Sequence, residues 1–198
     1  MSQRDDILNE LAAMRDRQAA LESQLAHLDK DSGWPPVGYY TAYHLVSGGL
    51  LGIMAASISL LFNIIGSTMV GKHPLEIIRI YLTFPMGETA LAIDSSSALA
   101  IGCVLYLGTG TILGAILHVI LTRWLTAPGL GRRILNVSVL VLVMWVVNYY
   151  AILSWLQPLL FGGNWIVKTI PWWVAAATHL VFGWSLLFME PWGRFDRR

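Results

Sequence analysis

Histidine is the side chain in this sequence best suited to chemistry, and three of its five histidines stand among small residues at helical spacing. His44 opens a row continued by Gly48, Gly52 and Ala56, each four residues on. Gly110, Gly114 and His118 form a second row, and Ala175 and Gly183 flank His179 at the same spacing. In a helix each such row shares one face. A face without side chains admits a neighbouring helix at close range. It also admits a flat ring, with a neutral imidazole to hold a haem iron. His44, His118 and His179 are therefore candidate ligands of haem b or another tetrapyrrole, or partners of a quinone headgroup. Gly48, Gly52, Ala56, Gly110 and Gly114 are candidate helix-packing positions. Against a haem shared by His44 and His118 stands their depth. His44 begins its apolar run, while His118 lies about five residues inside the end of its own, a mismatch of about 7 Å at 1.5 Å per residue. Asn148 and His179 fall near the middle of their runs, which predicts a hydrogen bond between the two helices. His73, before Pro74, reads as a capping or solvated residue, and His27 as solvated.

Other chemistries find no residues to carry them. No Asp, Glu, Lys or Arg lies deep in an apolar run, which argues against a carboxylate proton relay, an ion pump or a voltage sensor. The sequence shows no phosphate-cradling glycine loop, no paired-carboxylate hydrolase pattern and no HExxH. Nor does it show a serine nucleophile with a His and Asp to activate it. The single Cys103 sits in an apolar run and reads as a small hydrophobe. A net charge of +1 suggests no nucleic-acid partner.

The elements that must position the histidines are membrane helices. Of 198 residues 56% are hydrophobic and 13% charged, against ~25% charged in a soluble domain. Mean hydropathy is +0.59. The run from His44 to Val70 holds no Asp, Glu, Lys or Arg. The expected fold is all-α, a bundle of four spans at about 43–70, 98–124, 134–161 and 171–190, each long enough for a bilayer. Most of the nine Trp lie near the ends of these runs, as belt residues do. Between the first two spans, HPLEIIRIYLTFP predicts a short helix at about 74–84, with Pro74 at its first position, lying at the membrane interface. Ser95, Ser96 and Ser97 offer a cap for the second span.

Ahead of the membrane domain (43–190), residues 1–31 read as a water-facing amphipathic helix. Ile7, Met14, Leu21 and Leu28 take heptad position d; Leu11, Gln18 and Leu25 take a. In a parallel pair the flanking positions match Glu10 with Arg15 and Arg17 with Glu22, opposite in sign both times. The pattern predicts a parallel homomeric coiled coil, with Gln18 fixing register. The alternative is a single helix laid on a partner subunit or on the membrane surface. DSGWPP breaks the helix within a linker at 32–42, and 191–198 is a polar tail. The polar start MSQRDDILNE carries no signal-peptide core. With four spans both termini share a side. That side holds ten of the 13 basic residues, and the other holds Lys72, Arg79 and Lys168. The imbalance predicts cytoplasmic termini in an inner membrane.

These observations lead to a non-enzymatic inner-membrane protein of the bacterial type. It is expected to be an accessory or scaffolding subunit of a larger membrane complex, oligomerising through its N-terminal helix and its Gly-lined faces. Its expected partners are the lipid bilayer, its own copies and other membrane subunits. Two alternatives stand beside it. One is a haem b- or quinone-binding electron-transfer subunit of a respiratory or photosynthetic complex. The other is a small oligomeric transporter or channel lined by Ser57, Ser59, Asn63, Thr109, Thr111 and Asn148.

Overall fold

The computed structural model describes residues 3–31, 37–125 and 129–194. No strand occurs among the described residues. The chain divides into two compact units, Met1–Tyr40 and Thr41–Arg198. The first carries α1 (Gln3–Asp31). No Gly or Pro interrupts its 29 residues, so nothing in the sequence stops the helix before the DSGWPP break. Ile7, Leu11, Met14, Leu21 and Leu25 are exposed along it, and Gln18 donates to Glu22 one turn on at 3.0 Å. The side chains of His27 and Leu28, and residues 32–36 of the expected linker, lie outside the described residues.

The remaining elements, in chain order, are α2 (Val37–Met69), α3 (Glu76–Met86), a 3₁₀ turn at Gly87–Ala92, α4 (Ser96–Arg123) and α5 (Leu130–Val146). A π-helical stretch, Val147–Leu153, joins α5 to α6 (Ser154–Phe161); α7 (Trp165–Thr169) and α8 (Trp172–Met189) follow, with a last turn at Glu190–Gly193. Four stretches are long and apolar enough to cross a membrane: Tyr40–Met69, Ser96–Arg123, Leu130–Phe161 and Trp172–Gly193. The shortest, 22 residues, is about 33 Å long at 1.5 Å per residue and matches the roughly 30 Å hydrocarbon core. The third starts earlier than the sequence suggests, because Gly129 (φ +89°) turns the chain directly into Leu130.

Along α2 and α4 the small residues meet backbone to backbone. A Cβ added at Gly48 would stand 2.5 Å from His118 Cβ; one at Gly52 would run into the Gly110 carbonyl, and one at Gly114 into Gly52 Cα. Such contact is what small residues four apart allow in lipid, where dispersion and close approach replace the hydrophobic drive. On the other side Gly183 of α8 receives Val141 and Val137 of α5.

The two short helices depart from the expectation. α3 begins at Glu76, after Leu75, and takes Pro85 into its last turn. It does not simply lie at the interface: Ile77, Ile78, Ile80, Leu82 and Thr83 are buried, and Ile78 and Leu82 fill the notch left by Gly102 of α4. The composition explains this. Only Glu76 and Arg79 are charged, and Arg79 is occupied at the edge, donating to the Ile93 carbonyl at 2.9 Å and pairing with Asp94 and Glu76. His73 Nδ1 accepts the Leu75 N–H at 3.0 Å and so caps the turn before α3. Ser95 does stand at the start of α4, but its hydroxyl pairs with that of Ser97 at 2.9 Å and caps no backbone amide.

Helix α7 has five residues, too few to hold a helix unaided. Its ends are held by side chains from the third span. Gln157 Oε1 accepts the Ile166 N–H at 3.1 Å, and Tyr149 OH donates to the carbonyls of Ile166 (2.9 Å) and Ile170 (3.1 Å). Gln157, wholly buried, also donates to Thr83 Oγ1 of α3 at 3.1 Å. One amide thus links three helices, and both its nitrogen and its oxygen have partners, as buried polar atoms require.

Candidate functional site

The non-spanning helices and the π-helical stretch enclose a chamber between the long helices. Its volume is about 70 Å³. Ala56 and Ser59 of α2, Tyr81 of α3, Tyr106, Thr109 and Gly110 of α4, Asn148 and Tyr149, and Thr178, His179 and Phe182 of α8 all face it. A π-helical stretch inserts an extra residue per turn and shifts the faces of the helix beyond it, which recurs at functional sites. Here that stretch carries both Asn148 and Tyr149 to the chamber wall.

The largely apolar wall carries several polar groups and no formal charge. Tyr106 OH and Ser59 Oγ are 2.7 Å apart. Tyr81 is hydrogen-bonded to Thr109, whose own hydroxyl donates to the Leu105 carbonyl at 3.0 Å. Burial pushes the Tyr81 phenol above its ordinary pKa and keeps it neutral, the bond to Thr109 opposing that shift. The Tyr81 and Tyr106 rings meet edge to face with centroids 5.0 Å apart. His179 Nδ1 lies 2.8 Å from the Ala175 carbonyl. A carbonyl only accepts, so Nδ1 carries the hydrogen and Nε2 keeps a free lone pair. Asn148 has no side-chain hydrogen bond among the described residues. The predicted Asn148–His179 bond is therefore absent: the Ala175 carbonyl takes the imidazole N–H, and both side chains line the chamber separately.

A second, larger chamber of about 230 Å³ adjoins the first, with Ile77 and Ile170 forming part of both walls. Phe62, Ile80, Trp173 and Val174 supply its apolar lining. Asn63 lines this outer chamber and Thr178 the inner one, and the two are bonded, Asn63 Nδ2 donating to Thr178 Oγ1 at 3.0 Å.

The other histidines stand elsewhere. His44 and His118 are brought together, with ring centroids 5.5 Å apart. The expected depth mismatch disappears because α2 begins at Val37, a full turn and more before His44. His118, wholly buried, places Nε2 3.1 Å from the Gly193 carbonyl, to which Ser47 Oγ also donates at 3.2 Å. Both Nδ1 atoms are buried without a partner among the described residues. Beside them the fully buried Glu190 is paired with Arg133 and Arg194. The Gly52–Gly114 backbone contact leaves no gap for a tetrapyrrole plane between α2 and α4. The inner chamber at His179 is also far smaller than such a ring.

Of the polar residues named for a pore, Ser59, Thr109 and Asn148 line the inner chamber and Asn63 the outer. Ser57 is exposed and bonds back to the Ile53 carbonyl, and Thr111 packs beside Gly49. Sequence reasoning missed Tyr81, Tyr106, Tyr149, Thr178 and Gln157. The signal available was a polar side chain in a nearly apolar segment, as at Gln157 in α6. Comparison of this chain with family models, with curated proteins and with solved structures finds no match.

Proposed function

We propose that this chain is a non-catalytic accessory or scaffolding subunit of an inner-membrane assembly, held to its own copies through α1. One observation carries the reading: Ile7, Leu11, Met14, Leu21 and Leu25 are all exposed on a helix that forms a unit by itself. A row of apolar side chains at heptad spacing gains most when another helix covers it. The flanking charges specify that helix as a second copy, since Glu10 meets Arg15 and Arg17 meets Glu22 in a parallel pair. Gln18 at an a position selects register at some cost in stability, and in the lone chain its amide is turned to Glu22. Leu28 completes the d row. In this reading α1 is an amphipathic coiled-coil segment on the cytoplasmic side, and the Gly-lined seam of α2 and α4 gives the membrane domain a fixed frame to carry.

The test is the molar mass of the intact protein in detergent, by light scattering on a size-exclusion column, with detergent mass subtracted. The wild type is expected to elute as a dimer or trimer. The double variant Leu11→Lys, Leu21→Lys is expected to elute as a monomer with unchanged helical content. A monomeric wild type, or a variant with the wild-type mass, overturns the reading.

A further inference from the structure

We propose that the two adjoining chambers form one binding site for a neutral, lipid-soluble carbonyl compound of the quinone class. This stands apart from the scaffolding reading and does not depend on it. Size divides the ligand between the chambers. An apolar cavity of roughly 150 Å³ accepts a benzene ring, so the outer chamber, about 230 Å³, takes a substituted six-membered ring. The inner chamber, about 70 Å³, takes an oxygen substituent of that ring and a bridging water, which occupies about 30 Å³.

The walls agree with this division. Phe62 and Trp173 offer aromatic faces to a flat ring, and Ile77, Ile80 and Val174 complete an apolar surround. Phe62 on α2 and Trp173 on α8 are also 40% and 60% exposed, so this wall faces the lipid and an apolar tail can leave between them. The charged residues of the outer chamber, Lys72 and Glu76, lie together where α2 gives way to α3. The inner end holds no charge at all, which discriminates against ions and phosphates. It holds instead an unpartnered amide at Asn148 and a lone pair on His179 Nε2. A carbonyl oxygen accepts from the Asn148 N–H; the hydroxyl of the reduced ring donates to His179. A donor and an acceptor in one chamber suit both redox forms of a quinone, and a few placed polar groups in an apolar pocket are what orient such a ligand.

The experiment titrates the intact protein, in lipid nanodiscs, with a benzoquinone carrying one isoprene unit, and follows quenching of tryptophan fluorescence. Saturable quenching is expected in the wild type, with Trp173→Phe losing most of its amplitude. Asn148→Leu is expected to weaken binding by roughly tenfold, the equivalent of one lost hydrogen bond, and Thr111→Val, outside both chambers, to leave it unchanged. If Asn148→Leu does not elute as folded protein, His179→Phe serves in its place, with the same loss expected for the reduced quinol. Quenching that rises linearly without saturation shows partition into lipid alone and overturns the proposal. Unaltered affinity in the chamber variant overturns it too. So does equal affinity for an isoprenoid alcohol without a ring, which would make the site a pocket for lipid tails. The mass measurement above does not enter any of these outcomes.

Discussion

At the scale of single residues the least ambiguous feature is Glu190. Its carboxylate is fully buried, yet it lies between Arg133 and Arg194, whose side chains are 24% and 41% exposed. A buried carboxylate is tolerable only when paired, and removing one member of such a group leaves the rest uncompensated. Glu190→Gln is therefore expected to destabilise the protein by about 3 kcal/mol, read as a shift in the detergent or denaturant midpoint. Arg133→Gln should cost more than Arg194→Gln, because Arg194 is the more exposed of the two partners. Equal stability of wild type and Glu190→Gln would show that the pair does not hold the end of α8. The sequence did not reveal this cluster. Glu190 reads there as the polar end of a span, and nothing links it to Arg133, 57 positions away. The histidines were legible as residues among small neighbours, but not as what they touch: a backbone carbonyl at Gly193 for His118 and one at Ala175 for His179.

At the scale of elements, what could be read was whatever lipid enforces. Long charge-free runs announce α2, α4 and α8, and rows of glycine announce a seam. The seam can be tested by contrast. A Cβ at Gly52 meets the backbone of α4, whereas the space around Gly108 is open. Gly52→Ala should lose about 1–3 kcal/mol by forcing the helices apart. Gly108→Ala should be neutral or gain about 0.5–1 kcal/mol, since alanine is the better helix former. Both are measurable as thermal midpoints in detergent, and a Gly52→Ala midpoint at or above that of Gly108→Ala would remove the seam as a source of stability. What could not be read were the elements that build the chambers. No residue type demands the π-helical stretch at Val147–Leu153, although Pro158, lacking an N–H, already weakens the helix one turn beyond it. The short α7 has no signal of its own, because its ends are satisfied by Gln157 and Tyr149 from the third span. α3 was visible as a helix but not as a buried one. An apolar segment with its charge at one end fits a membrane surface and a bundle interior equally well by periodicity alone.

At the scale of the whole molecule, the distribution of charge makes a claim that neither residues nor elements make. Of 13 basic residues, seven lie before the first span or after the fourth, and three more, Arg123, Arg132 and Arg133, at the facing ends of the second and third. Basic loops near span ends are retained in the cytoplasm, so this arrangement predicts both termini there and the segment between α2 and α4 outside. Arg79, on the sparsely charged side, is engaged by Asp94, Glu76 and the Ile93 carbonyl, whereas Arg132 makes no hydrogen bond or ion pair among the described residues. The claim can be checked in a Cys103→Ala background with single cysteines introduced by Asn9→Cys and Glu88→Cys, both at exposed positions. A membrane-impermeant maleimide applied to intact cells, or to spheroplasts where an outer membrane intervenes, is expected to label position 88 and to reach position 9 only after lysis. Labelling in the reverse order would invert the protein and place α1 outside. The scaffold would then have to be sought among extracytoplasmic partners, while the lining of the two chambers would be the same in either orientation.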